Sequence, residues 1–121
     1  MAWNNILGER GEQLAISHLK KKGYVILETN WRYRRAELDI IAKHGEILVF
    51  IEVKTRNNNN FAEPEMAVDG KKQKLMASAG AAYMRKIEHD WEVRFDVISI
   101  IYKNEKDFHV RHFEDAFFPY E

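Results

Sequence analysis

Carboxylates recur along this chain in a spacing that could do chemistry. Glu12 follows Gly11, Asp39 closes Glu37-Leu38-Asp39, and Glu52 lies within Ile51-Glu52-Val53-Lys54-Thr55-Arg56, with Lys54 two residues beyond it. Hard divalent cations such as Mg2+ and Mn2+ take one or two protein carboxylates and fill the remaining positions with water and substrate phosphate. A phosphodiester is attacked slowly because water is a weak nucleophile and charge builds on the phosphate oxygens. A bound cation acidifies the water and offsets that charge, and a lysine adds a second positive centre. Two acids and one lysine would therefore suffice for metal-dependent phosphodiester hydrolysis.

Strand geometry decides whether they meet. Residues 37–42 alternate, Ile47 to Val53 is a second strand-like run, and His44-Gly45 between them reads as a tight hairpin turn. If Lys43 pairs with Glu46, Asp39 faces Phe50 and Glu37 faces Glu52. One face then carries Leu38, Ile40, Ala42, Ile47, Val49, Ile51 and Val53, all apolar. The other carries Glu37, Asp39, Ile41, Leu48, Phe50, Glu52 and Lys54. Like charges across a strand pair repel, so this face calls for a cation, whether Lys54 or a metal. A solvated strand face with ordinary salt bridges is the alternative reading.

Glu12 extends the constellation. Leu7, Gly11, Leu14, Ala15, His18 and Leu19 recur at helical spacing, and Lys20-Lys21-Lys22-Gly23 supplies a basic last turn and a stop. Glu12 shares a side with Ala15 and Leu19, which turns it toward the sheet. A carboxylate favourably placed near a helix N-terminus is the competing reading.

Further along, Tyr24 to Asn30 reads as a first strand, and a loop starts at Asn57 and runs through Pro64. Asp69 is the N-cap of a helix over about 70–87, with Leu75, Met76, Ala79, Ala82 and Tyr83 on its inner face. Its basic first turn, with Lys71 and Lys72, opposes the helix dipole unless an anion binds there, which makes Lys72 and Gln73 candidate phosphate contacts, with plain solvent exposure the commoner meaning. Glu92 to Tyr102 and Phe108 to Phe113 read as strands. The order is α-β-β-β-α-β-β: an antiparallel meander, then a helical crossover to a parallel partner, giving a mixed sheet between helices. Arg94 and Asp96 form a same-face pair. His109 and His112 point to opposite faces of their strand.

The 121 residues, 45% hydrophobic and 12% aromatic, suit one domain over 1–121 with a single core. Cysteine is absent, which excludes disulfides and thiolate metal sites and fits a reducing compartment. The longest unbroken apolar run, Ile47 to Ile51, is far short of a membrane span, and Met1 to Asn5 lacks signal-peptide character, so the expected location is the cytoplasm. Net charge is zero, yet residues 1–56 carry ten Lys/Arg against seven Asp/Glu. In that half Lys20 to Lys22, Arg32, Arg34, Arg35 and Arg56, interleaved with Trp31 and Tyr33, are candidate contacts to phosphates and bases. A charged, solvated surface is the commoner meaning of such a pattern.

The element order, with Asp on the second strand and Glu-x-Lys on the third, resembles the restriction-endonuclease-like fold and its PD-(D/E)XK nuclease site. Gly8-Glu9-Arg10-Gly11-Glu12, Asn30-Trp31-Arg32, Glu37-Leu38-Asp39-Ile40-Ile41, Phe50 to Arg56 and Arg94-Phe95-Asp96-Val97 resemble the YraN family of small bacterial proteins, which is similar to archaeal Holliday-junction resolvases. Ala36 and Ala62 stand where that family usually has glycine. The resemblance implies a Mg2+- or Mn2+-dependent DNA endonuclease acting on branched or otherwise non-standard DNA such as Holliday junctions. Asp39 and Glu52 would bind the metal, Lys54 would orient water or stabilise the phosphate, Glu12 would be an outer acid, and Arg56 would contact phosphate. A two-fold homodimer would suit a junction resolvase, with Phe113, Phe117, Phe118 and Tyr120 as a contact or as core cover. The alternative is a noncatalytic DNA-binding or adaptor module that retains the fold.

Overall fold

The computed structural model describes residues 3–57 and 68–117. Helix α1 (Trp3–Lys21) ends because Gly23 takes φ +89°, a conformation open to glycine at little cost. The Gly23 and Tyr24 N–H groups then donate to the Lys20 and Leu19 carbonyls, each at 3.0 Å, closing the last turn as a Schellman motif. Strands β1 (Val25–Tyr33), β2 (Ala36–His44) and β3 (Ile47–Arg56) follow. Helix α2 (Gly70–Lys86) leads to β4 (Val93–Asn104) and β5 (Asp107–Phe113). The five strands lie in chain order, β1-β2-β3-β4-β5. Only β3 and β4 are parallel, and α2 lies in the connection between them.

Both sheet faces are covered. Leu14, Ala15 and Leu19 of α1 pack with Ile40, Ala42, Val49, Ile51, Ile98 and Ile100. Met76, Ala79 and Tyr83 of α2 pack with Leu38, Ile41, Leu48, Phe50, Phe95 and Val97. Leu48, Phe50 and Ile41, expected on the acid-bearing face, are thus a second core layer, which explains why β3 is apolar at nearly every position.

The expected hairpin register is corrected by two residues. His44 pairs with Ile47, Lys43 with Leu48 and Ile41 with Phe50. The turn is Gly45-Glu46 rather than His44-Gly45, because Gly45 takes φ +63° at the first central position. A shift of two keeps every β3 residue on its predicted face, but it moves Glu52 off Glu37 and toward Asp39. A second correction concerns Leu38, which joins the α2 layer while Ile40 stays in the α1 layer. Strand alternation breaks at Asp39. On β1, Asn30 breaks it in parallel with φ +51°, so Thr29 pairs with Ile40 and Trp31 with Leu38 on either side of the irregularity.

Asp96, fully buried, ties the α1 side together. Its Oδ1 accepts from Arg94 Nε and Asp115 N, both at 2.9 Å, and its Oδ2 from Arg94 at 2.9 Å and His112 Nε2 at 2.7 Å. Arg94 also donates to Tyr24 Oη at 2.6 Å. His112 and His109 do face opposite ways, one buried against Asp96 and one exposed. Phe113 and Phe117 pack against the α2-side core, Phe117 with its ring 5.3 Å from Phe95. They therefore cover the core. Phe118, Tyr120 and the loop expected through Pro64 lie outside the described residues, apart from Asn57. No helix among the described residues is long and apolar enough to cross a membrane.

At Gly11, α1 packs directly against the Thr55 side chain of β3. An added Cβ would overlap the Thr55 side chain, lying 2.8 Å from Thr55 Cβ, an atom no rotamer change can move away. Gly11→Ala should gain about 1 kcal/mol of helix propensity and still lose about 1 to 3 kcal/mol net through overpacking. Urea denaturation checks the sign, and a stabilised variant would show that α1 can lift off β3 freely.

Candidate active site

Pairing between β2 and β3 ends at Ile40 and Ile51. Past that point the Val53 N–H donates to Asp39 Oδ2 at 2.8 Å, so a side chain satisfies a donor that the splayed ladder leaves open. The same bond holds Asp39 beside Glu52, the residue before Val53. Glu52 is only 4% exposed. Burial, and next the neighbouring Glu52 charge, push the Asp39 carboxyl up to about 7, while the Val53 N–H pulls the other way.

Lys72 approaches from α2. Its Nζ donates to Glu52 Oε1. Asp69 caps the helix, Oδ1 accepting from Lys72 N at 2.8 Å, and the first turn holds no acid of its own. The anion that this basic turn calls for is therefore the Glu52 carboxylate. Burial works against the Lys72 charge, but its bond to Glu52 and the Glu52 and Asp39 charges outweigh it and raise the ammonium pKa.

Glu52 Oε2 is buried with no hydrogen-bond partner among the described residues. An unpaired buried carboxylate oxygen on Glu52, with the half-buried Asp39 carboxyl within hydrogen-bonding reach of the same side chain, fits a divalent cation, because that oxygen otherwise keeps its full desolvation penalty. Among the described residues no three His, Cys, Asp or Glu side chains converge. The chain would thus give two carboxylates, as Mg2+ sites that keep several waters do. The pair opens on a cleft of about 450 Å3, to which Arg35 and Glu37 contribute on one side and Lys71 and Lys72 on the other.

The remaining candidates stand around this centre. Glu12 lies in an adjoining cleft with Glu9, Gln13 and Asn30. Its Oε1 accepts from Asn30 Nδ2 at 2.7 Å. Burial chiefly raises its pKa, Asn30 opposes that, and the Asp39 and Glu37 charges add to it, so its field reaches the centre although its carboxylate is bonded elsewhere. Lys54 shares the Glu52 face by strand periodicity, in register with Ser99, but does not line the cleft. Arg56 lies two residues further, its Nε buried with no partner among the described residues. Gln73 donates its side-chain N–H to the Val68 carbonyl at 3.0 Å. Among the expected phosphate contacts, Arg32 pairs with Glu37 at 2.9 Å and Lys22 with Glu114 at 3.7 Å, and Arg34 covers the Tyr33 ring. Trp31 packs edge-on against Tyr83. The sequence makes Lys72 a candidate phosphate contact, not a partner of Glu52. The missing-anion signal was present, but the partner lies on another element.

Asp39 gives a pH test. Its folded-state pKa, about 7, lies above the ordinary 3.8. The favourable contribution is therefore complete below about pH 4 and is lost as pH rises through about 7. Asp39→Asn should stabilise the metal-free protein by about 1 to 3 kcal/mol at pH 8 and by little at pH 4, as read by thermal denaturation. A variant less stable at pH 8 would contradict the strained-pair account.

A five-stranded mixed sheet in the order α-β-β-β-α-β-β, with two helices, is an architecture consistent with the restriction-endonuclease-like fold. Residues 11–100 match the uncharacterised protein family UPF0102. A UPF0102 protein of Flavobacterium psychrophilum is 47% identical over 120 residues, covering 99% of this chain and 100% of the relative. One from Christiangramia forsetii is 47% identical over 98% of both chains, and one from Bacteroides thetaiotaomicron 45% identical over 98% of both. The chain belongs to the UPF0102 (YraN) family.

Proposed function

We propose that this chain is a divalent-metal-dependent DNA endonuclease. The observation that carries the reading is the pairing of half-buried Asp39 with buried Glu52, whose Oε2 has no partner among the described residues, in the lining of a cleft that also holds Arg35, Lys71 and Lys72 beside Glu37 and Asp69. Asp39 and Glu52 would hold Mg2+ or Mn2+, which when bound acidifies water and neutralises charge at the phosphorus. The Val53 N–H fixes Asp39 in place before any ligand arrives, so little reorganisation accompanies binding. Arg35 and Lys71, which line the cleft, would contact flanking phosphates, and the α2 N-terminus would add its positive dipole. Lys54 and Arg56, on the Glu52 face further along β3, extend the positive track. Glu12 keeps the neighbouring cleft acidic and acts on the centre through its field.

Arg35, Lys71 and Lys72 in the cleft lining would contact backbone phosphates rather than base edges. Branched DNA, the substrate class that the resemblance to junction resolvases implies, is the proposed substrate. The test is cleavage by the native protein of linear, single-stranded, flap and four-way-junction DNAs with Mg2+ or Mn2+, with chelator as control. Chelator-sensitive cutting supports the reading.

A second reading, a DNA-binding or adaptor module that cuts nothing, is favoured by one observation: Lys54 lies outside the cleft lining. DNA binding without turnover by folded native protein on every substrate would select it.

A further inference from the structure

The two oxygens of Glu52 are in different situations. Oε1 accepts from Lys72 Nζ, while Oε2 is buried and has no partner among the described residues. The two ends of this ion pair also differ in freedom, since the Lys72 side chain is 43% exposed and the Glu52 side chain 5%. Glu52 is fixed in a central strand. Lys72 has its backbone held by the Asp69 cap, but its ammonium rides on a flexible four-carbon stem that opens onto the cleft.

A divalent cation held by Asp39 and Glu52 would bring two positive charges against that ammonium. Both cations need the same carboxylate, and the repulsion between them is strong at a few ångströms in a partly buried site. A phosphate entering the cleft offers the ammonium another anion, at the helix end where the dipole already favours one.

We propose that Lys72 is a cation gate: in the metal-free protein its ammonium occupies Glu52 in place of the metal, and substrate phosphate draws it away, so that metal and DNA bind cooperatively. This rests on the metal-site reading above. Lys72 is then a positioning residue that couples two ligands. Coupling of this kind is reciprocal, so metal tightens DNA binding by the factor by which DNA tightens metal binding.

Calorimetric titration with Mn2+ tests the gate, using native protein, Lys72→Met and Lys72→Arg, each with and without a saturating nuclease-resistant phosphorothioate oligonucleotide. Without DNA, Lys72→Met should bind Mn2+ at least about fivefold more tightly than native protein. The oligonucleotide should tighten Mn2+ binding to native protein and change that of Lys72→Met much less. Lys72→Arg, which keeps the charge, should behave as native. Equal or weaker Mn2+ binding by folded Lys72→Met overturns the gate and leaves the metal site standing. No Mn2+ binding by native protein or by either variant overturns the metal reading and the gate with it.

Discussion

Glu52→Gln is expected to lower the single-turnover rate of metal-dependent DNA cleavage by at least about a hundredfold, with no loss of thermal stability. The substitution preserves shape and removes one negative charge from a pair in which Asp39 is pushed up, after burial itself, by that very charge. The neutral amide removes the charge that repels Asp39 and also the counter-charge of Lys72, whose 43% exposed side chain keeps the amide oxygen as an acceptor, so the two changes offset in the metal-free fold. The cation, however, loses one of the two carboxylates available to it, and the transition state loses the charge compensation the cation supplies. Activity thus falls while stability holds, as expected where a strained site serves function. A variant that is inactive because it unfolds, or one that cuts as fast as native protein, would each count against this account.

Asp96→Ala should destabilise the protein by about 3 to 5 kcal/mol, the cost of leaving one partner of a buried ion pair alone. All four acceptor positions of Asp96 are filled, by Arg94 twice, His112 and the Asp115 N–H. Removing the carboxylate leaves the Arg94 guanidinium, its side chain 13% exposed, without its main counter-charge, and it frees the turn after β5. Burial by itself would raise the Asp96 pKa, but the bonds from His112, Arg94 and Asp115 hold it below the ordinary value. Its contribution is therefore present above about pH 4 and is lost as pH falls through the lowered folded-state pKa. That is opposite in sign to Asp39. Urea denaturation at pH 7 measures the loss. A change under about 1 kcal/mol would mean that the network is solvated rather than buried.

Much of this was legible in the sequence, for reasons that can be named. Alternation and the Glu-x-Lys spacing put Asp39 and Glu52 on adjacent strands, because side-chain facing repeats every two residues whatever the turn. The register was missed by two because either residue pair around Gly45 could form the turn, and only the glycine's φ decides. The switch of Leu38 to the other layer was not legible. It depends on Asn30 in the left-handed region of the neighbouring strand, and single-strand periodicity carries no trace of that. The Asp69 cap was read correctly from local chemistry. The Arg94–Asp96 pair was also read from spacing two along a strand. Its other partners, His112, Asp115 and Tyr24, come from distant segments, which local patterns do not join. The basic first turn of α2 gave half an answer: it signalled a missing anion, and the fold supplies Glu52.

The most direct test is anomalous scattering from crystals grown without metal and then soaked in Mn2+. The account predicts one strong peak between Asp39 and Glu52, about 2.2 Å from a carboxylate oxygen of each, with Lys72 moved off Glu52. An empty position there at saturating Mn2+, with Lys72 still bonded to Glu52, would contradict it.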